Sequence, residues 1–205
     1  MQVAIIDYGM GNIGSVRNAL HALGFKGMIT NKQDEIAQAT HLILPGVGAF
    51  GDGMNNLYER GLVDVLTREV MERKKPALGI CLGMQLLAEV GEEGGEHVGL
   101  GWVKGRVRRF QVDERAFRIP HVGWNDVVTC SGSTLFAGIG SPTFYFVHSY
   151  FLVPENSDIV AGTCDYGETF AASIEQQNVY GVQFHPEKSQ TSGLTLLKNF
   201  LSVTS

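Results

Sequence analysis

Pro76-Ala-Leu-Gly-Ile-Cys-Leu-Gly-Met-Gln-Leu-Leu-Ala-Glu89 carries the most information in the chain. Ala77 to Ile80 is a short apolar run and predicts a buried strand. The run stops at Cys81, with Gly79 and Gly83 two residues to either side. Met84 to Val90 predicts the first turns of a helix, with Leu82, Leu86 and Val90 at four-residue spacing on its buried face. Cys81 is thereby placed at a sharp strand-to-helix junction, a geometry that lifts a nucleophile above the end of a sheet. Flanking glycines relieve crowding where φ is unusual and backbones come close. A helix start adds partial positive charge, which favours a thiolate. A cysteine behind an apolar run is, taken alone, more often a small buried hydrophobe. The flanking sequence has to choose between these readings.

Upstream of this stretch, strands and helices alternate. Val3 to Asp7 predicts a first strand, Asn12 to Leu23 a helix stopped by Gly24, and Gly27 to Thr30 a weak second strand. Gln33 to Gln38 predicts a short helix and His41 to Leu44 a third strand. The loop Pro45-Gly-Val-Gly-Ala-Phe-Gly51 follows, and Leu57 to Glu72 contains helix with a break near Gly61. This alternation argues for a parallel sheet covered on both faces. The expected fold is α/β, a flavodoxin-like doubly wound central sheet whose ligands bind beyond the carboxyl ends of the strands.

Downstream the texture changes. Gly91 to Gly101 is rich in glycine and glutamate and reads as loop. Trp102 to Phe110, Asn125 to Thr129, Thr143 to Val153, Ile159 to Thr163, Phe170 to Glu175 and Val179 to Phe184 read as strands. Gln176-Gln-Asn178 reads as a hairpin turn, and Leu194 to Leu201 as a closing helix. No shift in composition marks a linker. A single domain over residues 1–205 is expected, its mostly parallel sheet extended by an antiparallel strand section in the second half.

Composition narrows the function classes. The 205 residues are 44% hydrophobic and 18% charged, which fits a folded chain with a sizeable core. A net charge of -5 with no long basic run argues against nucleic acid as the main partner. No apolar run is long enough to span a bilayer. The start, Met-Gln-Val-Ala-Ile-Ile, lacks the features of a signal peptide. Three cysteines, Cys81, Cys130 and Cys164, are an odd count without framework spacing, so a reducing cytoplasm is expected. Neither Cys-x-x-Cys nor His-Glu-x-x-His occurs, so no metal and no cofactor is expected. Gly9-Met-Gly-Asn-Ile-Gly14 does match a phosphate-cradling turn. The acidic ribose ligand due at the end of strand two is missing, because Thr30-Asn31-Lys32 stands there and Asp34 falls in the next element. A structural or partner-facing loop is the better reading.

A nucleophilic thiol needs a base. Of six histidines, His21 lies within a helix, His41 opens a strand and His97 falls in a polar loop. His121 and His148 stand beside aromatic and glycine residues and stay open as ligands. His185 is the strongest candidate: it ends an apolar strand, Pro186 stiffens the corner, and Glu187 is placed to accept from the imidazole and set its tautomer.

Gly79-Ile-Cys-Leu-Gly-Met-Gln85 and Gly181-Val-Gln-Phe-His-Pro-Glu187 resemble the two signatures of triad-type, class I glutamine amidotransferase domains, and the resemblance covers the whole chain. It implies a glutaminase in which Cys81 attacks the glutamine side-chain amide, His185 moves the protons and Glu187 orients His185. It implies an oxyanion hole formed by Leu82 and by Gly46, Val47 and Gly48. It also implies that Gln85, Ser149 and Tyr150 bind the substrate. Cys130 and Cys164 lack the glycine elbow and are expected to be structural.

Asp7-Tyr-Gly-Met-Gly-Asn12, Leu44-Pro-Gly-Val-Gly-Ala-Phe50, Pro120-His-Val-Gly-Trp-Asn125 and His185-Pro-Glu-Lys-Ser189 resemble the branch that serves histidine biosynthesis. Anthranilate-type subunits tend to carry Gly-Gly-Pro-Gly and His-Pro-Glu-Ser at the corresponding places. That type, and the pyridoxal phosphate type, are the alternatives. The branch implies a separate cyclase subunit, a (β/α)8 barrel that receives the ammonia and makes imidazole glycerol phosphate and aminoimidazole carboxamide ribonucleotide. Asn12, Trp124, Asn125 and Lys188 are then expected at the contact. Trp124 equally suits a core position. Without the partner, the Val47 peptide is expected to turn a carbonyl toward the oxyanion position. A peptidase or γ-glutamyl hydrolase on the same architecture, and a nucleotide-binding module built on the Gly9 loop, are the competing classes.

Overall fold

The computed structural model describes residues 1–204. Its first half follows the predicted alternation: β1 Val3–Ile6, α1 Ile13–Ala22, β2 Gly27–Thr30, α2 Gln33–Gln38, β3 His41–Gly46 and β4 Ala77–Cys81. Between β3 and β4, helix begins earlier than expected, as α3 Phe50–Glu59. It breaks at Gly61, whose φ of 62° only glycine adopts freely, and resumes as α4 Leu62–Thr67.

After a short helical turn behind Cys81 come β5 Ala88–Gly91, β6 His97–Val98, β7 Val103–Arg109, β8 His121–Asp126, β9 Val128–Thr129, β10 Thr143–His148 and β11 Tyr150–Pro154. They are followed by β12 Val160–Asp165, β13 Thr169–Gln176, β14 Val179–Val182 and α6 Gln190–Leu201. The expected single strand Thr143 to Val153 is two strands in different sheets, parted at Ser149. Asn125 to Thr129 is likewise divided between β8 and β9. β13 and β14 form the expected hairpin across residues 177–178, with Gln177 at φ 55°.

The central sheet has eight strands in the order β2-β1-β3-β4-β14-β13-β12-β9. Pairs from β2 to β14 are parallel, and β13, β12 and β9 extend the sheet antiparallel. Both faces are buried, as parallel strands require. Val3, Ile5 and Ile43 face one core with α1 and α6, while Ala4, Ile6, Leu42 and Leu44 face the other with α2, α3 and α4. Two smaller sheets, β10-β8 and β11-β7-β5-β6, lie outside it. The second half is not wholly antiparallel, since β5 pairs with β7 in parallel.

One expectation from the opening stretch is overturned. The helix after Cys81 is a single turn, α5 Leu82–Gln85, and Val90 belongs to strand β5. Leu82 and Leu86 are buried as the spacing required. From Ala88 onward the backbone pairs with Val103 and its neighbours instead of with its own preceding turn. A four-residue spacing fits both outcomes for two positions, and pairing with a distant strand decided the third. Gly91 to Gly101, read as loop, contributes β6, paired with β5 through Val98 and His97.

Candidate active site

The carboxyl ends of β3, β4 and β14 converge, and each carries predicted site residues. At the end of β4, Cys81 adopts φ 54° and ψ -112°, a conformation that costs a non-glycine residue free energy and is held by what surrounds it. The flanking glycines are required by contact. A Cβ on Gly83 would lie 1.7 Å from the Leu44 carbonyl oxygen, and one on Gly79 would lie 2.7 Å from the Gly83 oxygen. The single turn of helix therefore rests directly on β3 and β4, and Cys81 is levered over the strand end, 5% exposed.

His185 follows β14 in a relaxed extended conformation, φ -101° and ψ 94°, stiffened by Pro186. Its backbone is tied at both ends: its N–H donates to the Tyr145 carbonyl at 2.9 Å, and its own carbonyl accepts from Ser189 Oγ at 2.6 Å. Its Nδ1 meets Glu187 Oε1 at 2.9 Å, as the two-residue spacing predicted. That contact makes Nδ1 the protonated nitrogen and leaves Nε2 for the thiol side. Nε2 and Glu187 Oε2 are buried with no other hydrogen-bond partner. Burial pushes the His185 pKa down, but the Cys81 sulfur and the Glu187 carboxylate outweigh it and hold the ring up at about 9.

A cavity of about 450 Å³ opens beside the thiol, within the range of small-molecule sites. Val47, Gly48, Cys81, Leu82, Gln85, Ser149 and Tyr150 line it, so the structure brings together nearly every residue the sequence assigned to nucleophile, oxyanion hole and substrate. Gly46 lies behind the wall, paired with Cys81 across β3 and β4. Gln85 Nε2 donates to the Tyr150 carbonyl at 2.8 Å, so its amide holds the Ser149–Tyr150 segment against α5.

The loop Gly9–Gly14 is not shaped as a nucleotide cradle. No neighbour lies near the position of a Cβ on Gly14, whereas the third glycine of a dinucleotide turn serves close helix–strand packing. The loop packs against residues 45–48 instead: a Cβ on Gly48 would meet Met10 Cε at 2.6 Å, and one on Gly11 would meet the Pro45 oxygen at 3.3 Å.

Four residues escaped the sequence reading. Tyr8 is fully buried, and its hydroxyl has no partner; it fills the space of a Gly46 Cβ, between β3 and the elbow. Burial, and then the charge on Cys81, push its pKa far up. Glu93, in the stretch read as loop, reaches the cavity and accepts from the Phe50 N–H at 3.0 Å. Pro120 also lines the cavity, and Gln183 reaches the sulfur from below. Tyr8, Pro120 and Gln183 had a signal available, since all three lie inside quoted motifs, whereas Glu93 had none.

His121 and His148, left open as ligands, bind each other. His121 Nδ1 lies 3.1 Å from His148 Nε2, and His148 Nδ1 lies 2.9 Å from the Tyr150 carbonyl. A carbonyl accepts only, so His148 carries its proton on Nδ1 and His121 donates to it. Burial pushes His121 down to about 4 and His148 to about 3.

Of the expected contact residues, Trp124 is 48% exposed and is no core residue. It meets Tyr145 edge-on at 6.1 Å between ring centroids, and Lys188 Nζ lies 5.6 Å from the same ring. Asn125 is half-buried, donating to the Asp165 carbonyl and accepting from the Asp126 N–H. Asn12 Oδ1 accepts from Ser15 Oγ at the start of α1. Cys164 is buried, its pKa pushed up to about 12, while Cys130 stands on the surface and is no core residue.

The family model for class-I glutamine amidotransferases matches residues 4–203. Imidazole glycerol phosphate synthase subunit HisH of Moorella thermoacetica is 52% identical over 97% of this chain and 93% of its own length. The subunit of the same name from Aquifex aeolicus is 50% identical over 98% of this chain and 96% of its own. A crystallised glutamine amidotransferase superposes with a TM-score of 0.76 at 22% identity, covering 97% of this chain and 96% of that one, a likeness of fold alone. With an elbow cysteine, a carboxylate-paired histidine and a match over nearly its full length, this chain belongs to the class-I glutamine amidotransferase family.

Proposed function

We propose that this chain is the glutaminase subunit of an imidazole glycerol phosphate synthase, acting in histidine biosynthesis as one domain over residues 1–205. The observation that carries the chemistry is the Cys81 elbow on the wall of a cavity, with the buried His185–Glu187 pair next to its sulfur. The near-half identity to subunits of that name carries the pathway. The described residues hold no helix long and apolar enough to cross a membrane, and with the cysteine usage this supports a cytoplasmic setting.

In this reading, Cys81 sulfur attacks the side-chain carbonyl carbon of glutamine, and His185 receives the thiol proton. The tetrahedral oxyanion is stabilised by the Leu82 N–H and by an N–H of the Gly46–Gly48 loop. His185 then protonates the departing nitrogen, ammonia leaves, and a γ-glutamyl thioester remains. Water gives a proton to His185, attacks the thioester and releases glutamate and the thiol. Glu187 keeps the imidazole in the tautomer this requires and stabilises its charged form. Gln85, Ser149 and Tyr150 hold the amino-acid end of glutamine, and no cofactor takes part.

The ammonia passes to a separate cyclase chain, a (β/α)8 barrel. Trp124, Tyr145 and Lys188 form the exposed group it covers, with Asn12 at the rim and Asn125 securing the strand that presents Trp124. An exposed Trp packed on Tyr suits an interface anchor. The peptide of Val47, a residue 42% exposed and next to Gly48 at φ 107°, has the freedom to rotate when the cyclase binds. Glutamate release is expected to be slow in the isolated chain, to rise with the cyclase and its nucleotide, and to vanish in Cys81→Ala. Full-speed hydrolysis by the isolated chain would end the rotation argument, and hydrolysis by Cys81→Ala would end the glutaminase reading.

A further inference from the structure

Beneath the thiol lies an amide whose orientation is set by its neighbours. Gln85 Nε2 donates twice, to the Tyr150 carbonyl at 2.8 Å and to Gln183 Oε1 at 3.1 Å. A donor at that distance selects the oxygen end of Gln183. The nitrogen end is therefore turned to Cys81, where Nε2 lies 3.7 Å from Sγ. The reversed amide would set two N–H donors against each other and aim an oxygen at the sulfur. Gln183 is fully buried, so no water competes for either end.

The sulfur has a second neighbour of opposite character, the Val147 carbonyl at 3.8 Å. A carbonyl accepts only, so it serves the S–H of the thiol and repels the thiolate. An amide N–H does the reverse, and a hydrogen bond to an ionised partner is stronger than one to a neutral partner. We infer that Gln183 is a positioning residue for the nucleophile: its N–H favours the anionic sulfur and aims it, and its oxygen ties that aim to Gln85 and the Tyr150 carbonyl. The hydrogen-bonded series Cys81–Gln183–Gln85–Tyr150 thus joins the nucleophile to the segment proposed to hold the substrate. Gln183 is uncharged at every pH. The titratable groups around the sulfur are His185 with Glu187 behind it, Tyr8 from beyond β1, His148 at the end of β10, and Glu93 across the cavity. The inference rests on the glutaminase reading for the substrate, but its action on the sulfur is independent of turnover.

The test is site-resolved alkylation of the full chain with iodoacetamide across pH 5 to 10, Cys130 serving as the internal reference. In Gln183→Met, which keeps the volume and removes the amide, Cys81 alkylation at pH 7 is expected to fall about tenfold, its profile moving to higher pH. Cys130 is expected to react as before. Gln183→Asn draws the N–H back by one methylene and is expected to move the profile in the same direction with different packing. In the complex with the cyclase and its nucleotide, kcat is expected to fall about tenfold, with KM for glutamine changed less than about threefold, because Gln85 retains the Tyr150 carbonyl. Either variant overturns the inference if it melts like the wild type and its Cys81 profile does not move. An equal change at Cys130 also overturns it, since that marks general loosening. Absence of glutamate from the wild-type complex would overturn the glutaminase reading, and the alkylation result would still decide the role of Gln183.

Discussion

Two histidine sites lie close enough to feel each other and are both buried, yet they end on opposite sides of neutrality. His185 is held up at about 9, while His121 and His148 are pushed down to about 4 and about 3, His148 in part by the charge on His185. Desolvation acts downward on all three. The difference is the company. His185 has a sulfur and a carboxylate beside it, whereas the pair is enclosed by Phe110, Phe146, Phe170 and Tyr166, with one carbonyl as acceptor. A buried imidazole next to anions is a proton carrier; one among aromatic rings is a neutral strut. Burial alone does not identify a catalytic histidine.

Removing the anion should break the contrast most. In Glu187→Gln the amide keeps a hydrogen bond to Nδ1, but the charge is gone. Glutaminase kcat in the cyclase complex is expected to fall by about 10²–10⁴-fold, as when a triad carboxylate is neutralised. The His185 ring proton signals, followed by NMR, should titrate at lower pH than in the wild type. A titration that stays near 9 with full activity would show that Cys81 alone sets the base.

The stability of the isolated chain should carry both signatures. His185 binds its proton more tightly folded than unfolded. Its contribution is therefore complete below pH 6.5 and is lost as pH rises toward about 9. His121 and His148 bind theirs less tightly folded. Their cost is absent above pH 6.5 and grows as pH falls toward about 4 and about 3. From these three groups, stability should peak near pH 6.5 and decline on both sides in urea melts. Glu187→Gln should flatten the alkaline limb, and a symmetric loss of the acid limb in that variant would contradict the assignment.

His121→Phe sharpens the comparison at smaller scale. It removes one neutral strut, so the acid limb should flatten, and it leaves His148 Nε2 without its donor. A loss of about 1–3 kcal/mol at pH 8 is expected from that orphaned acceptor. Tyr8→Phe should have the smallest effect and the opposite sign. Its hydroxyl is buried and unpaired between Gly46 and the elbow, so deleting it should leave stability unchanged or raise it by about 1 kcal/mol in the same melts. Clear destabilisation would reveal a partner for that hydroxyl.

The legible part of the fold was local. β2 and α2 have the bounds the periodicity predicted, and Gly24 and Gly61 stop helices with the positive φ their positions called for. The site was legible where chemistry sits within a few residues: Cys81 between two glycines, and His185 two residues before Glu187. The misreading of Val90 and the splitting of Thr143 to Val153 have one cause. A strand's partner lies tens of residues away, and a stretch of leucines or aromatics does not say which edge it will join.

The sequence by itself determined the order of alternating elements, the elbow, the histidine with its carboxylate, and the glycines where backbones would touch. Those depend on steric and periodic rules that act within one turn or one strand. Only the tertiary structure decided that Gln183 faces the sulfur 102 positions away, that His148 and His121 bind each other, and that Tyr8 lies beneath Gly46. A buried polar group takes the partner the fold leaves within about 3 Å. That choice is made by packing and carries no mark in local spacing.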